Sequence, residues 1–438
     1  MLKKSLFALS LALSPALSQA FCGFYVAKAD ASLYNHASQV VMVRKDDKTV
    51  LSLMNDYQGE LKDFALVIPV PEILQKQQIH IGDAKLFKHL DNFTAPRLVE
   101  YHDRNPCEMR IEKRLARSMA MNDSVMAKQA VKKKSLGVTV EAEYTVGEYD
   151  IVILSAKQSD GLETWLRQNG YKIPENARKA LQPYIKQDMK FFVAKVNLDA
   201  QAKTGVSFLR PLQFAFQSEK FMLPIRLGML NAKGAQDLLL YVLTEKGRVE
   251  TTNYRTLKLP SNMDLPVYIK EDFAHFYTAL FDKQVEKHAM KAVFTEYFWN
   301  MGWCDPCAAN PLSPQELKSL GVFWLDKSTQ RQRRGVPVQV TRLHVRYSPD
   351  TFPEDLMFQE TSDTQNFQGR YVLRHAWQGT PEQCPAAKKY FDNLATRQQQ
   401  EASTLAELTG WELNTIHQKM NLTPPQQTTQ AQWWRGLW

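Results

Sequence analysis

A pair of cysteines with two residues between them is the strongest sign of covalent chemistry in this sequence. The pair lies in the segment Trp303-Cys304-Asp305-Pro306-Cys307. Cysteines at this spacing can alternate between a dithiol and a disulfide, provided that one of them ionises to a thiolate. Cys304 and Cys307 are therefore the candidate redox pair, and no other catalytic residue is predicted.

The neighbours of this pair bear on its chemistry. The form Trp-Cys-x-Pro-Cys is found at thioredoxin-type redox sites, where a strand precedes the first cysteine and a helix N-terminus stabilises its thiolate. Residues 293–298 predict the strand, but Pro311 and Pro314 prevent a long helix from beginning at Cys304. The helix that would stabilise a thiolate is therefore not predicted.

Aromatic residues near the pair favour a structural disulfide. Phe298, Trp299 and Trp303 lie within six residues, which predicts a buried segment, and a buried thiol is a poor nucleophile. Three alternatives stay open, because spacing alone does not fix connectivity: a structural disulfide in a tight Asp-Pro turn, redox catalysis, and pairing of one member with Cys384. Zinc would need two further ligands, and no nearby Cys or His pair supplies them, so no metal site is predicted.

The first twenty residues have the pattern of a secretory signal peptide. Lys3 and Lys4 give a positive start, residues 6–17 are largely apolar, and small residues up to Ala20 suit signal peptidase. The apolar run is shorter than the roughly 20 residues that span a bilayer, which disfavours a membrane anchor. We expect cleavage between Ala20 and Phe21 and a periplasmic or secreted mature protein.

Five cysteines follow the predicted cleavage site. They are Cys22, Cys107, Cys304, Cys307 and Cys384. Cysteines in an oxidising compartment usually pair, and an odd number leaves at least one unpaired or bonded to another chain. We predict a Cys22–Cys107 disulfide, because a mature N-terminus frays unless it is tied down.

Composition limits the class of protein and of partner. The chain has 438 residues, 44% of them hydrophobic, and its mean hydropathy of −0.39 excludes a polytopic membrane protein. No segment after the signal has eighteen consecutive apolar residues, so no transmembrane span is predicted in the mature chain. The net charge of +9, or +7 without Lys3 and Lys4, suits anionic lipid or acidic glycans, whereas nucleic acid is not an expected partner of an exported protein.

The sequence gives less information about partners and cofactors. An unknown envelope protein or glycan is the expected partner. The Trp-rich end, with Trp433, Trp434 and Trp438, either makes a peripheral membrane contact or docks on the protein itself. The sequence contains no GxGxxG or GxxxxGK[ST] loop, no GxSxG elbow and no HExxH spacing, so no cofactor is predicted.

Hydrophobic periodicity predicts an α+β fold with mostly antiparallel β-sheet subdomains, peripheral helices and a helical C-terminal segment. Residues 40–43 and 50–53 predict a hairpin, and residues 64–71 predict a buried strand. Residues 271–290 have helical spacing, and residues 385–419 are largely helical. Several connections are too short for crossover helices, which favours antiparallel pairing.

The same features divide the chain into six segments. They are a signal peptide (1–20), an N-terminal β-rich domain (21–107), a basic Met-, Ala- and Lys-rich insertion (108–136), a second α+β domain (137–260), a helix plus β segment with the CxxC pair and C-terminal helices (271–420), and a loose Trp-rich tail (421–438). The basic insertion is expected to be a solvated segment rather than a binding site, as most such runs are.

Several segments form a specific combination. They are CGFYVAKAD (22–30), NDYQG (55–59) followed by FALVIPVP (64–71), FLRPL (208–212), LPIRL (223–227) and WCDPCA (303–308). Together they resemble the exported bacterial proteins of domain-of-unknown-function family 2330, over residues 22–411. The resemblance implies an exported envelope protein without an established activity, and it carries over no catalytic residue.

The sequence therefore predicts an exported envelope protein of unknown activity, a non-enzymatic binding or scaffolding protein braced by disulfides. The alternative is a thiol–disulfide oxidoreductase that uses Cys304 and Cys307. The environment of the pair discriminates between them, because an exposed low-pKa thiolate favours the enzyme and a buried, oxidised pair favours the scaffold.

Overall fold

A computed structural model describes nine stretches of the chain. They are residues 24–27, 34–58, 64–108, 139–157, 159–169, 177–203, 209–231, 234–325 and 336–422. The predicted signal peptide with its cleavage site at Ala20 and Phe21, Cys22, nearly all of the basic insertion and the tail from residue 423 lie outside the described residues.

The described residues form twenty strands and eight α-helices. The strands are β1 (Phe24–Ala27), β2 (Tyr34–Lys45), β3 (Lys48–Gln58), β4 (Phe64–Val70), β5 (Ile79–Ile81), β6 (Arg97–His102), β7 (Thr139–Val146), β8 (Tyr149–Ser155), β9 (Lys190–Val196), β10 (Leu212–Gln217), β11 (Met222–Leu223), β12 (Gln236–Thr244), β13 (Val249–Thr251), β14 (Arg255–Lys258), β15 (Met263–Leu265), β16 (Ala292–Asn300), β17 (Gln339–Tyr347), β18 (Leu356–Glu360), β19 (Phe367–Gln368) and β20 (Arg370–His375). The helices are α1 (Ala84–Thr94), α2 (Ser159–Gln168), α3 (Ala177–Lys186), α4 (Leu198–Lys203), α5 (Phe273–Lys287), α6 (Pro314–Ser319), α7 (Pro385–Thr409) and α8 (Leu413–Lys419). The predicted α+β class and helical C-terminal segment are confirmed.

The largest sheet has nine strands in the order β14-β16-β17-β12-β2-β3-β10-β5, with β19 beside β16. The predicted hairpin, β2 and β3, lies inside it, and Val40 is opposite Leu53. On its other side β2 runs parallel to β12, where Leu240 is opposite Val40. The sheet therefore combines strands from the predicted ranges 21–107, 137–260 and 271–420.

A second sheet packs face to face on the first. Its five strands, in the order β1-β4-β9-β8-β7, are all antiparallel. Met42 of β2, Leu66 and Ile68 of β4 and Phe192 of β9 belong to one buried apolar cluster. Because side chains alternate across a strand, only every second residue of these strands can face this shared layer.

The outer faces of both sheets are covered as well. Val41 and Val43 of β2 pack with Phe87 of α1 on one outer face. Phe191 of β9 packs with Leu162 of α2 on the other. Strands that are buried on both faces read as continuous apolar runs, which explains why residues 40–43 do not alternate with polar residues.

Two three-stranded sheets complete the fold. The order β11-β18-β13 is antiparallel, whereas β15-β20-β6 is parallel throughout and packs with α5, α7 and α8 in a separate apolar cluster. Parallel pairing needs long connections, and α5 lies within the connection from β14 to its parallel neighbour β16. Across the described stretches, no helix is both long enough and apolar enough to cross a bilayer.

The longest helix, α7, buries a carboxyl group among other charges. Glu401 is 4% exposed and lies 3.3 Å from Nε of Arg397, while Nη2 of Arg397 lies 2.8 Å from Oδ2 of Asp103. Burial raises the pKa of Glu401 to about 7. Arg397 acts in the opposite direction, and the charges of Asp264 and Asp103 add to the rise.

We expect Glu401→Gln to stabilise the protein at pH 8 and to leave its stability unchanged at pH 4.5. The folded pKa of about 7 lies above the ordinary value of 4.5, so native stability falls as the pH rises between these values, and the full cost is present above pH 7. Glutamine removes this cost, a gain on the order of 1–3 kcal/mol in unfolding free energy at pH 8.

Urea unfolding at the two pH values measures this gain. Glu407→Gln, on the exposed side of the same helix, is the matched control and should change little at either pH. An equal gain from Glu401→Gln at both pH values would contradict a raised pKa.

Candidate functional site

The candidate redox turn follows the last residue of β16. Oδ1 of Asn300 accepts a hydrogen bond from the backbone N–H of Gly302 at 2.9 Å, and the chain leaves the sheet there. Phe298 and Trp299 are buried as predicted, but the side chain of Trp303 is 49% exposed, so the prediction of a fully buried segment is wrong. Trp303 lies edge-on against Trp299, with 5.0 Å between ring centroids, and its remaining surface faces solvent.

The two cysteines of the turn are bonded to each other. Cys304 and Cys307 form a disulfide with each other and Cys384 pairs with Cys107, which excludes the predicted alternative of a bond from either of the two to Cys384. Cys304 is half-buried against the apolar cluster below the turn, whereas Cys307 is exposed. The next helix, α6, begins only at Pro314, in agreement with the prediction that no long helix starts at Cys304.

Both backbone carbonyls between the cysteines are held by side chains from other strands. Nε2 of Gln368, in β19, donates a hydrogen bond to the carbonyl of Asp305 at 2.9 Å. Nη1 of Arg97, the first residue of β6, donates to the carbonyl of Pro306 at 3.0 Å. The shape of the turn is therefore fixed by groups that do not depend on the sulfur–sulfur bond.

The C-terminus of α1 positions Arg97. Its Nη2 donates to the carbonyl of Phe93 at 2.6 Å and its Nε to the carbonyl of Ala95 at 3.2 Å. The last carbonyls of a helix lack partners within the helix and form the negative end of its dipole, so a guanidinium is favoured there. The guanidinium also lies over the ring of Tyr297 at 5.5 Å. Burial lowers the pKa of Arg97, and the charge of Arg342 lowers it further.

The same helix end leads to a second charged group deeper in the protein. Nη1 of Arg342 lies 2.6 Å from Oδ1 of Asp91 and 3.3 Å from Oγ1 of Thr94, in the last turn of α1. The hydroxyl of Tyr241 donates to the same Asp91 oxygen at 2.7 Å. Arg342 thus joins the helix end to the centre of the nine-stranded sheet.

At that centre lies the carboxylate of Glu296, which is fully buried. It accepts hydrogen bonds from Nε of Arg342 at 2.5 Å, from Nδ1 of His344 at 2.7 Å and from the hydroxyl of Tyr277. The register of β16 against β17 shifts on either side of Glu296, and such a bulge re-aims the side chain of the extra residue. We call Glu296, Arg342, His344, Tyr277 and Asp91 the buried charge cluster.

The buried charge cluster keeps its carboxylate ionised. Burial alone would raise the pKa of Glu296, but the charges of Arg342 and His344 and the hydrogen bonds from His344 and Tyr277 outweigh it and lower the pKa to about 2. Burial, reinforced by the charge of Glu296, raises the pKa of Tyr277 well above its ordinary value. Because Glu296 and Arg342 are buried and satisfied by their partners, the cluster supports the fold rather than presenting an open acid–base site.

The second disulfide differs from the predicted one. Cys107 forms a disulfide with Cys384, so the predicted Cys22–Cys107 bond is wrong. Cys107 follows β6, which pairs with β20, and Cys384 precedes α7 shortly after β20. Pairing of β6 with β20 therefore brings the two cysteines together across 277 residues, which cysteine spacing alone does not reveal.

Several important residues were missed by sequence reasoning. Glu296 had a signal, since it is the only charged residue in the apolar strand AVFTEYFWN. A sequence signal also existed for Arg342 and His344, because basic residues alternate along QVTRLHVRY and therefore share one face of the strand. Arg97 and Gln368 had none, because their role depends on strands that are distant in sequence.

No metal centre emerges from the stretches that the structure describes. Within them, no three or more His, Cys, Asp or Glu residues are grouped in a way that could hold an ion. The turn itself presents the two bonded sulfurs, the ring of Trp303 immediately before Cys304, and the Pro306 carbonyl that Arg97 holds.

Comparison with known proteins yields a family but no characterised relative. No curated protein and no solved structure matches the chain. Residues 16–359 match a family described as an uncharacterized protein conserved in bacteria, and the match spans well over half of the chain. The matched range includes the CxxC turn, Arg97 and most of the strands of both large sheets. The chain therefore belongs to the bacterial family DUF2330, as the combination of its sequence segments predicts.

Proposed function

We propose that this chain is an exported protein of the bacterial cell envelope, periplasmic or secreted, that binds or scaffolds another envelope component. The proposal rests on the Cys107–Cys384 disulfide, which joins residues 277 positions apart. Structural disulfides persist in oxidising compartments and are rare in the cytosol. The signal-like pattern of residues 1–20 supports the same location.

Charge indicates the kind of partner. The net charge of +9, or +7 once Lys3 and Lys4 are removed, favours an acidic glycan or an acidic protein of the envelope. Contact with the membrane surface through Trp433, Trp434 and Trp438 is a further part of the proposal. The tryptophan side chain combines an apolar ring with a polar N–H, which favours the interface between lipid and water.

Fractionation of bacteria that express the full-length chain tests the location. We expect the protein in the periplasm or the medium, with Phe21 as its first residue and with Cys107 and Cys384 resistant to alkylation until they are reduced. Leu9→Arg, which interrupts the apolar run, is the control and should leave the chain in the cytoplasm with reactive thiols. A wild-type chain that stays in the cytoplasm and keeps Lys3 and Lys4 would overturn the proposal.

Salt dependence tests the charge-based partner. Mature protein that is bound to isolated envelopes should be released as NaCl rises from about 50 mM to about 0.5 M. Added salt shortens the distance over which exposed charges attract one another, so binding through charge weakens. Retention at high salt would exclude a partner that is recognised by charge.

A second candidate function is thiol–disulfide exchange at Cys304 and Cys307. The exposure of Cys307 and Trp303 favours it, because a purely structural pair is expected to be enclosed. Reduction of insulin by the purified protein in the presence of dithiothreitol tests this activity, with the double variant Cys304→Ser/Cys307→Ser as the control. Equal rates for the two proteins would exclude the activity.

A further inference from the structure

We propose that Cys307 is the sulfur through which the Cys304–Cys307 pair exchanges with a dithiol on a polypeptide, and that Trp303 receives that polypeptide. The inference rests on the second candidate function and specifies its mechanism. Thioredoxin-type sites use the first cysteine of the pair as the nucleophile. Here the first cysteine, Cys304, packs against the apolar cluster, and the second, Cys307, faces solvent.

The exchange proceeds in two balanced steps. A thiolate of the partner attacks Sγ of Cys307, the sulfur–sulfur bond breaks, and its electron pair leaves on Sγ of Cys304. The mixed disulfide joins Sγ of Cys307 to the first sulfur of the partner polypeptide. The second thiolate of that polypeptide then attacks its first sulfur and releases Cys307 as a thiolate. Two electrons and two protons pass from the partner dithiol to the pair, so the partner gains a disulfide and Cys304 and Cys307 become thiols.

The hydrogen bonds that hold the turn are compatible with both the disulfide and the dithiol form of the pair. The hydrogen bonds from Gln368 to the Asp305 carbonyl and from Arg97 to the Pro306 carbonyl do not involve sulfur, so they remain when the disulfide opens. The guanidinium of Arg97 is itself held by the end of α1, because its Nη2 donates to the carbonyl of Phe93. The disulfide closes so short a loop that it restricts the unfolded chain very little.

Trp303 supplies the contact surface. Its ring is half exposed immediately before Cys304, while one edge is fixed against Trp299. Rigid aromatic side chains of this kind are enriched where proteins bind one another. The favoured partner is therefore a polypeptide dithiol rather than a small thiol such as glutathione.

Variants of the full chain that keep only one cysteine of the Cys304–Cys307 pair test which sulfur exchanges. Each variant is mixed with an oxidised peptide that carries one intramolecular disulfide, and the mixed disulfide is followed by mass spectrometry. We expect Cys304→Ser, which retains Cys307, to form the mixed disulfide at least about tenfold faster than Cys307→Ser. Circular dichroism spectra that match the wild type confirm that both variants are folded.

Trp303→Ala tests the docking surface. It should slow oxidation of a reduced dicysteine peptide by the wild-type pair about tenfold. Phe323→Ala, at another exposed aromatic residue, should leave the rate unchanged. A wild-type protein that oxidises no peptide faster than oxidised glutathione does would overturn the exchange function itself. Exchange that is equal in the Cys304→Ser and Cys307→Ser variants, or insensitive to Trp303→Ala, would overturn the inference alone.

Discussion

Replacing Cys107 and Cys384 together by serine is expected to lower the free energy of unfolding by about 3–5 kcal/mol. The disulfide joins residues 277 positions apart, so its loss frees a very long loop in the unfolded chain. Both cysteines are replaced together because a variant that kept one of them would have a free thiol that could pair with Cys22. Urea unfolding of the oxidised proteins measures the loss.

The Cys304–Cys307 disulfide provides the matched control for this prediction. Cys304→Ser/Cys307→Ser opens a loop that spans three positions and should cost no more than about 2 kcal/mol. In excess dithiothreitol, the wild type and the Cys107→Ser/Cys384→Ser variant should unfold at the same urea concentration. Equal losses from the two double variants would show that loop length does not govern these bonds.

Arg342→Met is expected to cost about 3–5 kcal/mol, because it leaves the buried carboxylate of Glu296 without its main counter-charge. Arg342 is 5% exposed and also binds Asp91, so its loss removes two ionic contacts at once. Adding Glu296→Gln to the variant should recover part of the loss, because the uncompensated charge is then gone.

The pH dependence of stability gives this prediction a second measurement. The pKa of Glu296, about 2 in the folded protein, lies below its ordinary value of 4.5. Its contribution is therefore complete above pH 4.5 and is lost as the pH falls toward 2. Arg342→Met should raise that pKa and remove most of this acid sensitivity.

Arg346→Met, on the same strand, is the matched control. Arg346 pairs with Asp237 and with the half-exposed Asp282 nearer the surface, so its loss should cost only about 1 kcal/mol. Urea unfolding at pH 7 and at pH 3 compares the two variants. A loss from Arg342→Met no larger than that from Arg346→Met would contradict the central role of the buried charge cluster.

The local sequence pattern was enough to predict many strands and helices, but not which strands lie next to each other in a sheet. Residues 40–43 and 50–53 form a hairpin because the turn between them is short, and both strands are apolar because both of their faces are covered. The parallel pairing of β2 with β12 has no such local signal, since the strands are brought together only by packing of the whole sheet. The long connections to β20 likewise hide its parallel pairing with β6.

The candidate site shows the same division. Sequence alone identified Cys304 and Cys307 as a candidate pair, with Cys384 left open as another partner, and it used Pro311 and Pro314 to exclude a long helix after them. Sequence also suggested burial of Trp303, whereas the turn at Asn300 carries this ring outward and leaves it half exposed.

The amino-acid sequence by itself determined the α+β class, the main strands and helices, and the family to which the chain belongs. Only the tertiary structure decided that Cys107 bonds to Cys384, that Arg97 and Gln368 hold the CxxC turn, and that Glu296 meets Arg342 and His344. The physical reason is range. Backbone preference and side-chain periodicity act over a few residues, while these contacts depend on which strands become neighbours when the apolar faces are buried together.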